Sequence, residues 1–146
     1  MNNKKEKATR IFLIDDHPAV LQGLKELLAE ESYIVCGEAT SSGETFERIK
    51  SRNADMALLD ISLGQENGLA LIAGLHGLGI AVLIYSMHED TDTIVKAFAH
   101  GANGYVTKQE MSANLLAAVS DIAAGRRHIS PRVALSLANR AVPLPV

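Results

Sequence analysis

The sequence predicts an α/β fold in which a doubly wound, five-stranded parallel sheet is covered by helices on both faces. Short apolar segments alternate with longer segments of helical periodicity along most of the chain, which is typical of parallel strands joined by right-handed helical crossovers. The apolar segments are continuous in hydrophobicity, as strands buried on both faces are. Acidic residues end two of these segments, and ligands of such sheets bind at the carboxyl ends of strands.

Five strands are predicted from the apolar segments. In chain order they are Arg10–Ile14, Ile34–Glu38, Met56–Asp60, Ala81–Ser86 and Gly104–Thr107. Five helices are predicted after these strands from apolar residues at helical spacing and from capping residues. The first follows Pro18, the second begins at the capping-box sequence Ser41-Ser42-Gly43-Glu44, and the others are Gly68–Leu78, Thr91–His100 and Ser112–Ala124.

The composition fits one domain, because the chain has 146 residues of which 47% are hydrophobic. A net charge of −3 gives no indication that this chain binds nucleic acid by electrostatics. The single cysteine, Cys36, excludes an internal disulfide and suits a reducing compartment, so we expect a cytoplasmic protein. No apolar segment reaches the length of about 18 residues that a spanning helix needs. The polar residues 1–8 are expected to be disordered.

Five polar residues are predicted at one edge of the sheet. Asp15 and Asp16 end the first strand, Asp60 ends the third, Ser86 ends the fourth and Lys108 follows the fifth. Because the carboxyl ends of parallel strands meet at one edge, three carboxylates are expected to gather there, which is costly without a cation. A hard divalent ion, usually Mg²⁺, satisfies such a cluster and leaves coordination positions for phosphate. The sequence therefore predicts phosphoryl chemistry.

Each residue taken alone has a plainer interpretation. Either aspartate could cap the first helix, and Ser86 could cap the fourth. A lone lysine is usually solvated, and Tyr105, in the fifth strand, could simply fill space against the sheet. Their joint placement at strand ends favours a site.

These residues resemble the receiver domain of bacterial two-component response regulators, and look most like its NarL/LuxR-type branch. The resemblance covers roughly residues 9–128, which we expect to form a receiver domain with the flavodoxin-like (βα)5 arrangement. The residues that carry it are Ile14-Asp15-Asp16-His17-Pro18, Asp60, Gly68, Ser86 and Gly101-Ala102-Asn103-Gly104-Tyr105-Val106-Thr107-Lys108.

The resemblance implies that Asp60 accepts a phosphoryl group from a sensor histidine kinase, as a carboxylate nucleophile can. It also implies that Asp15, Asp16, Asp60 and the main-chain carbonyl of Ser62 bind Mg²⁺. The domain would be a signalling switch rather than a metabolic enzyme, with Mg²⁺-dependent self-phosphorylation and slow autodephosphorylation as its only reactions. His17 is expected to be a loop residue beside the acids, since Mg²⁺ prefers oxygen ligands.

Three further roles follow from the resemblance. Lys108 would pair with Asp60 and then with a phosphoryl oxygen. Ser86 would donate its hydroxyl to the phosphoryl group and move toward it on activation, and Tyr105 would change rotamer with that movement. The loop after Asp60 departs from the family's usual Met-Pro, because Leu63-Gly64 occurs in its place and Glu66 follows. Gly64 predicts a more flexible loop, and the effect of Glu66 on phosphorylation is left open.

Residues 129–146 are expected to form a linker helix and tail. A short helical stretch, Val133–Arg140, precedes Pro143 and Pro145, which suit a linker. We expect the full protein to continue into a helix-turn-helix domain that would supply all DNA binding, although a stand-alone receiver remains an alternative. A homodimer is possible through either the first and fifth helices or the fourth helix and fifth strand, and no membrane contact is expected.

Two other functions are compatible with the acidic edge. A Mg²⁺-dependent hydrolase with an aspartyl nucleophile would need a second acid two residues later, where this chain has Ser62. A pseudo-receiver that binds partners without phosphorylation is disfavoured by the intact Asp15, Asp16, Asp60 and Lys108.

Overall fold

The computed structural model describes residues 8–63 and 66–141, with the backbone alone for Glu66 and Asn67. The strands are β1 (Arg10–Ile14), β2 (Ile34–Ala39), β3 (Met56–Leu59), β4 (Ser62–Leu63), β5 (Glu66–Asn67), β6 (Ala81–Ser86), β7 (Gly104–Thr107) and β8 (His128–Ile129). Six of them form a parallel sheet in the order β2-β1-β3-β6-β7-β8, and β4 pairs with β5 as a separate antiparallel hairpin.

The five predicted helices are present within a few residues of their expected ends, and a sixth follows them. They are α1 (Pro18–Glu30), α2 (Ser42–Ile49), α3 (Leu69–Gly77), α4 (Thr91–Ala99), α5 (Ser112–Ala123) and α6 (Pro131–Ala141). Among the described residues, no helix combines the length and the apolar character that crossing a membrane requires.

Local capping residues fix several helix ends. At the start of α2, the Ser41 hydroxyl accepts the Glu44 N–H at 3.2 Å, while the Glu44 carboxylate accepts the Thr40 N–H at 2.9 Å. This is the predicted capping box with its return bond shifted by one residue. Helix α4 ends before Gly101, whose φ of +112° lies where side chains other than glycine are strained.

Two hydrophobic layers cover the two faces of the sheet. Helices α1 and α5 pack on one face, where Leu24, Leu28 and Val119 are buried against Leu13 of β1. Helices α2, α3 and α4 pack on the other face, where buried residues such as Ile72 contact the opposite side of the same strands. The continuous apolar strands of the sequence are therefore explained by burial on both sides.

The strand order reverses between β1 and β3, and this reversal locates a crevice. The chain leaves β1 toward β2 on one side and then returns to add β3, β6 and β7 on the other. In doubly wound sheets, ligands bind at the carboxyl ends of the strands that flank this switch point. Here those strands end in Ile14 and Leu59, the residues that directly precede the predicted acids.

The sheet extends one strand beyond the five that were predicted. His128 and Ile129 pair in parallel with Gly104 and Tyr105. A two-residue strand has no recognisable periodicity, so the sequence pattern could not identify it. His76, His88, His100 and His128 lack metal-ligand spacing, so the sequence predicts that they lie at the surface. The His128 side chain differs from this prediction, because it is only 15% exposed and contacts Asp121 at 2.8 Å.

Helix α6 is longer than the predicted Val133–Arg140 stretch, and it lies against the domain. It contacts α4 and β7, with Val133 fully buried and Leu137 partly buried in the same hydrophobic layer as α2, α3 and α4. The expectations about disorder at Met1–Lys7, flexibility at Gly64 and the prolines of the tail all fall outside the described residues.

Candidate functional site

Three carboxylates meet at the switch point of the sheet. Asp15 and Asp16 directly follow β1, Asp60 directly follows β3, and the two strands pair in parallel with Ile14 opposite Leu59. Ligand atoms of these aspartates and of His17 all lie within 4.8 Å of one another. Asp15 and Asp60 are only 2% and 4% exposed, so their charges are largely removed from water.

Lys108 bridges two of the three carboxylates. Its Nζ lies 2.7 Å from Asp15 Oδ2 and 3.0 Å from Asp60 Oδ2, and its side chain is 10% exposed. Burial lowers the pKa of Lys108, but its hydrogen bonds to both aspartates outweigh burial and raise the pKa above the usual 10.5. The backbone fixes this position, because the Lys108 N–H donates to the Ser86 carbonyl at 2.8 Å. The lysine is therefore a permanent cation in the site.

The donor set of the cluster fits a hard divalent cation. One lysine cation faces three carboxylates, so two negative charges stay uncompensated by lysine. Asp16 Oδ1 is buried without a hydrogen-bond partner, and such orphaned acceptors are rare. Carboxylate and carbonyl oxygens are the ligands that Mg²⁺ prefers.

His17 lies at the exposed side of the same cluster. Its Nδ1 is 2.8 Å from Asp15 Oδ1 and 3.1 Å from Asp16 Oδ1, the latter without hydrogen-bond geometry. The hydrogen bond to Asp15, together with the charges of Asp15 and Asp16, raises the pKa of His17 above 6.5. It is 60% exposed. The histidine is thus a loop residue beside the acids, as expected, and it contacts them directly.

Hydrogen bonds from backbone N–H groups hold the loop after Asp60 close to the carboxylate. Asp60 Oδ1 accepts the Ser62 N–H at 3.1 Å, and the Gly68 N–H donates to the Ile61 carbonyl at 2.9 Å. A Cβ at position 68 would lie 2.9 Å from that carbonyl oxygen, closer than side chains normally approach. Gly68 therefore allows α3 to begin directly beside the loop that follows Asp60.

Ser86, His88 and Tyr105 form a hydrogen-bonded group beside Asp60. Ser86 is fully buried, and its hydroxyl accepts the His88 N–H at 3.2 Å. Tyr105 is also fully buried and donates its hydroxyl to the His88 carbonyl at 2.7 Å. The His88 ring reaches back to the Ser62 hydroxyl at 2.6 Å. Burial raises the pKa of Tyr105 well above 10, so the phenol stays neutral and keeps donating.

A family model described as the response regulator receiver domain matches residues 11–120. The match contains the whole acidic cluster, Lys108 and the Ser86–Tyr105 group. The chain belongs to the response regulator receiver family.

Two curated relatives of this receiver domain identify its branch. DevR/DosR of Mycobacterium tuberculosis, a DNA-binding transcriptional activator, is 35% identical over 131 residues, which cover 88% of this chain and 60% of that protein. The nitrate/nitrite response regulator NarL of Escherichia coli is 35% identical over 147 residues, which cover 95% of this chain and 68% of that protein. The receiver domain is thus of the NarL/LuxR type, and the chain spans 60% to 68% of the length of these relatives.

Solved structures agree with the fold. A LuxR-family response regulator from Aurantimonas sp. superimposes with a TM-score of 0.87 at 33% identity, covering 92% of this chain and 99% of that one. The isolated receiver domain of Salmonella enterica RcsB superimposes with a TM-score of 0.82 at 21% identity, covering 89% of this chain and 99% of that one. The second likeness shows the fold alone.

The residues predicted from sequence all lie at the same edge of the sheet. They are Asp15, Asp16, Asp60, Ser62, Ser86, Tyr105 and Lys108. Sequence reasoning missed His88, which connects Ser62, in the loop after Asp60, to Tyr105. A signal was available, because His88 follows Ser86 by two residues at the carboxyl end of β6, where side chains face the crevice.

Proposed function

We propose that Asp60 is the phosphoacceptor of this receiver domain and that its phosphorylation switches the surface formed by β6, α4 and β7. The observation that carries the proposal is the ion pair of 3.0 Å between Lys108 and Asp60 inside a carboxylate cluster at the switch point of the sheet. A sensor histidine kinase is the expected donor.

The transfer uses the Asp60 carboxylate as a nucleophile. One carboxylate oxygen forms a bond to phosphorus while the N–P bond of the donor phosphohistidine breaks, and the departing imidazole nitrogen keeps the electron pair. The carboxylate attacks directly, and Lys108 Nζ lies 3.0 Å from one of its oxygens. Its two oxygens are oriented by different partners, Ser62 N–H and Lys108 Nζ, so the carboxylate is held still before attack.

Asp15, Asp16, Asp60 and the main-chain carbonyl of Ser62 would hold Mg²⁺. When bound, the ion offsets the negative charge of the transferring phosphoryl oxygens. Lys108 supplies a protein cation at the site and would transfer its contact from Asp60 to a phosphoryl oxygen once the aspartyl phosphate forms. Asp15, the other partner of Lys108, keeps the lysine in place during that exchange.

The switch would run through Ser86 and Tyr105. The Ser86 hydroxyl accepts the His88 N–H and interacts with the Tyr105 hydroxyl, and it would turn its own proton toward a phosphoryl oxygen. A movement of Ser86 would carry His88 with it, and the Tyr105 hydroxyl holds the His88 carbonyl. The proposal is that phosphorylation shifts the population of conformations of this loop, as differential binding of the phosphoryl group requires.

The output is proposed to be transcription through a DNA-binding domain outside this chain. The relatives that support this are longer than the chain, and one of them carries the name of a DNA-binding transcriptional activator. A homodimer and a cytoplasmic location belong to the same proposal. The reactions of the domain itself would be self-phosphorylation and slow autodephosphorylation.

The test is mass spectrometry of the chain after incubation with acetyl phosphate and Mg²⁺. We expect one labile phosphoryl adduct in the wild type and in Asp92→Asn, an exposed aspartate on α4. We expect none in Asp60→Asn, because the amide is isosteric but a poor nucleophile, and none when EDTA removes the metal. An adduct of unchanged yield in Asp60→Asn would refute the assignment.

A further inference from the structure

We propose that Arg132, on α6, is a positioning residue for the phosphoryl site, because it joins the two loops that follow Ser86 and Lys108. The inference rests on the proposed function, in which these two side chains bind the phosphoryl group on Asp60. It gives α6 a part in the receiver reaction itself.

Arg132 makes a forked contact that only a guanidinium can make. Its Nε and Nη2 lie 2.5 and 2.7 Å from the two carboxylate oxygens of Glu89, and Nη2 also lies 3.1 Å from Gln109 Oε1. Such bidentate pairs with carboxylate combine strength with fixed geometry. The forked pair holds the pKa of Glu89 below its usual range and that of Arg132 above it, so both groups stay charged.

The partners of Arg132 belong to two different loops of the site. Glu89 lies in the β6–α4 loop, residues 87–90, three residues after Ser86 and directly after His88. Gln109 lies in the β7–α5 loop, residues 108–111, directly after Lys108. A single side chain from α6 therefore connects both loops that would touch the phosphoryl oxygens.

The start of α6 is itself fixed, so Arg132 can act as a brace. Ser130 is fully buried, and its hydroxyl donates to the Glu110 carboxylate, which also accepts the Thr107 N–H at 3.1 Å. Val133 is fully buried in the core on the other side of Arg132. One turn further along, the Ser136 hydroxyl donates to the Glu89 carbonyl at 2.8 Å.

The consequence is preorganisation. A phosphoryl group that is bound by Ser86 and Lys108 must order both loops, and ordering before binding reduces the loss of conformational entropy at the moment of binding. Without Arg132, the two loops lose the side-chain connection between Glu89 and Gln109, while the backbone hydrogen bond from the Lys108 N–H to the Ser86 carbonyl remains. The affinity for a phosphoryl mimic should then fall, although no residue that touches the mimic has changed.

Helix α6 contains a matched control for a purely structural role. Arg140, at the far end of the same helix, pairs with Asp92 of α4 and touches neither loop. Both arginines are more than half exposed and each makes one ion pair between α6 and the domain. If the ion pairs only attach α6, the two substitutions should have similar effects on the phosphoryl site.

The experiment measures the affinity of the full chain for beryllofluoride with Mg²⁺ by calorimetric titration, in wild type, Arg132→Ala, Arg132→Lys and Arg140→Ala. Substitutions within a coupled network change affinity by about 2- to 30-fold, so we expect Arg132→Ala to raise Kd about fivefold. The Kd of Arg132→Lys should lie between those of wild type and Arg132→Ala, because lysine keeps the positive charge but cannot make the bidentate contact with Glu89. Arg140→Ala should leave Kd unchanged.

Two further variants locate the effect. Glu89→Ala should raise Kd like Arg132→Ala, and the double variant should be no worse than Arg132→Ala alone, since loss of either partner breaks the connection between the loops. Gln109→Ala keeps the Glu89 pair and removes the Arg132 contact with the second loop, so a rise in Kd is expected there as well. Gln109→Ala and Arg132→Lys also decide the matter if Arg132→Ala does not fold.

The outcomes separate the two proposals. If wild type binds beryllofluoride and Arg132→Ala binds it equally well, Arg132 has no positioning role. Equal losses in Arg132→Ala and Arg140→Ala would likewise overturn the inference, because general attachment of α6 would explain them. If wild type binds no beryllofluoride and forms no phosphoryl adduct, the proposed function fails and the inference fails with it.

Discussion

Asp15 and Asp16 are adjacent in sequence, but their carboxylates have different surroundings. Both oxygens of Asp15 are used within the protein, one by Lys108 and the other by His17. Asp16 keeps a buried oxygen without a hydrogen-bond partner, and its side chain is 27% exposed. Asp16 is therefore the proposed metal ligand whose removal should affect metal binding without affecting folding.

We predict that Asp16→Ala loses most Mg²⁺ affinity while the domain stays folded. The protein loses no hydrogen bond at Asp16 Oδ1, since that atom makes none. Loss of outer-shell partners of a metal costs about 10- to 100-fold in affinity, and loss of a direct ligand should cost at least as much. Calorimetric titration with MgCl₂ measures this, with thermal unfolding as the control. Wild-type Mg²⁺ affinity in the variant would remove Asp16 from the metal site.

We predict that Tyr105→Phe destabilises the domain by about 1–2 kcal/mol, because the His88 carbonyl loses its donor in a partly buried position. The ring itself stays, so packing is kept. Urea unfolding measures the change, and Tyr33→Phe, on a partly exposed ring, is the control. Backbone amide shifts with beryllofluoride should also change less in the variant around His88. A variant as stable as wild type would show that this hydrogen bond contributes nothing.

The site residues differ in how well the sequence could predict them. Asp15, Asp16, Asp60, Ser86 and Lys108 could be placed because each follows a strand, and strand direction alone brings their positions to one edge. The contacts of His88 with Ser62 and of Arg132 with Glu89 join residues 26 and 43 positions apart. Such pairs meet through loop and helix packing, which leaves no periodic signal in the sequence.

Helix α6 shows how little apolar surface is needed to attach a helix. Val133 and Leu137 lie four residues apart on one face, and both belong to the core below α4. Most other residues of the helix are polar or small, so the sequence indicated a helix but not its contact with the domain. Paired side chains at its two ends, Arg132 and Arg140, complete the attachment.

We predict that Val133→Ala destabilises the domain by about 2–3 kcal/mol, because two buried methyl groups are lost and a cavity remains. Leu135, on the same helix, is 61% exposed, so Leu135→Ala should change the free energy of unfolding by less than about 0.5 kcal/mol. Urea unfolding of both variants measures the difference. Equal stabilities would mean that α6 does not stay attached in solution.

The attachment of α6 should also depend on pH through Glu89. Its pKa lies below the usual 4.5, chiefly because Arg132 binds it, so its contribution to stability is present above pH 4.5 and is lost as the pH falls through the folded-state value. Glu89→Gln should therefore be less stable than wild type at neutral pH, and the difference should vanish in acid. Asp90 and Glu110, the other acids beside this contact, are present in both proteins and cancel in the comparison.

Thermal unfolding of wild type and Glu89→Gln across this pH range measures the effect. A difference in melting temperature that is the same at neutral pH and well below pH 4.5 would show that the charge of Glu89 does not contribute. Stability should rise with pH here, because Arg132 binds the deprotonated form of Glu89. A group whose pKa rises on folding would show the opposite dependence.

For the molecule as a whole, the sequence predicted the order of the central strands better than it predicted where the sheet ends. Alternating strands and helices allow few arrangements when crossovers are right-handed, and the observed order from β2 to β7 is one of them. The added strand at His128 is held by a neighbouring strand and by the Asp121 contact rather than by its own apolar pattern. Strands at the edge of the sheet are therefore the hardest to predict from a single sequence.

The last prediction concerns DNA. The chain carries a net charge of −3, and most lysines and arginines with defined contacts are already paired with carboxylates of the same chain. These pairs are Lys25–Glu38, Arg48–Glu44, Lys108–Asp15, Arg126–Asp121, Arg132–Glu89 and Arg140–Asp92. Affinity for DNA phosphates requires clustered, available cations whose binding releases counterions. Helix α6 is no exception, since both of its arginines face acids of the domain.

We therefore expect no binding of this chain to duplex DNA at physiological salt, with or without beryllofluoride. Fluorescence anisotropy of a labelled duplex measures this, and sedimentation velocity under the same conditions shows whether beryllofluoride produces a dimer. A dimer alone should not create DNA affinity, because two copies double the net negative charge. Tight, salt-dependent binding of the chain itself would overturn the assignment of DNA recognition to a domain outside it.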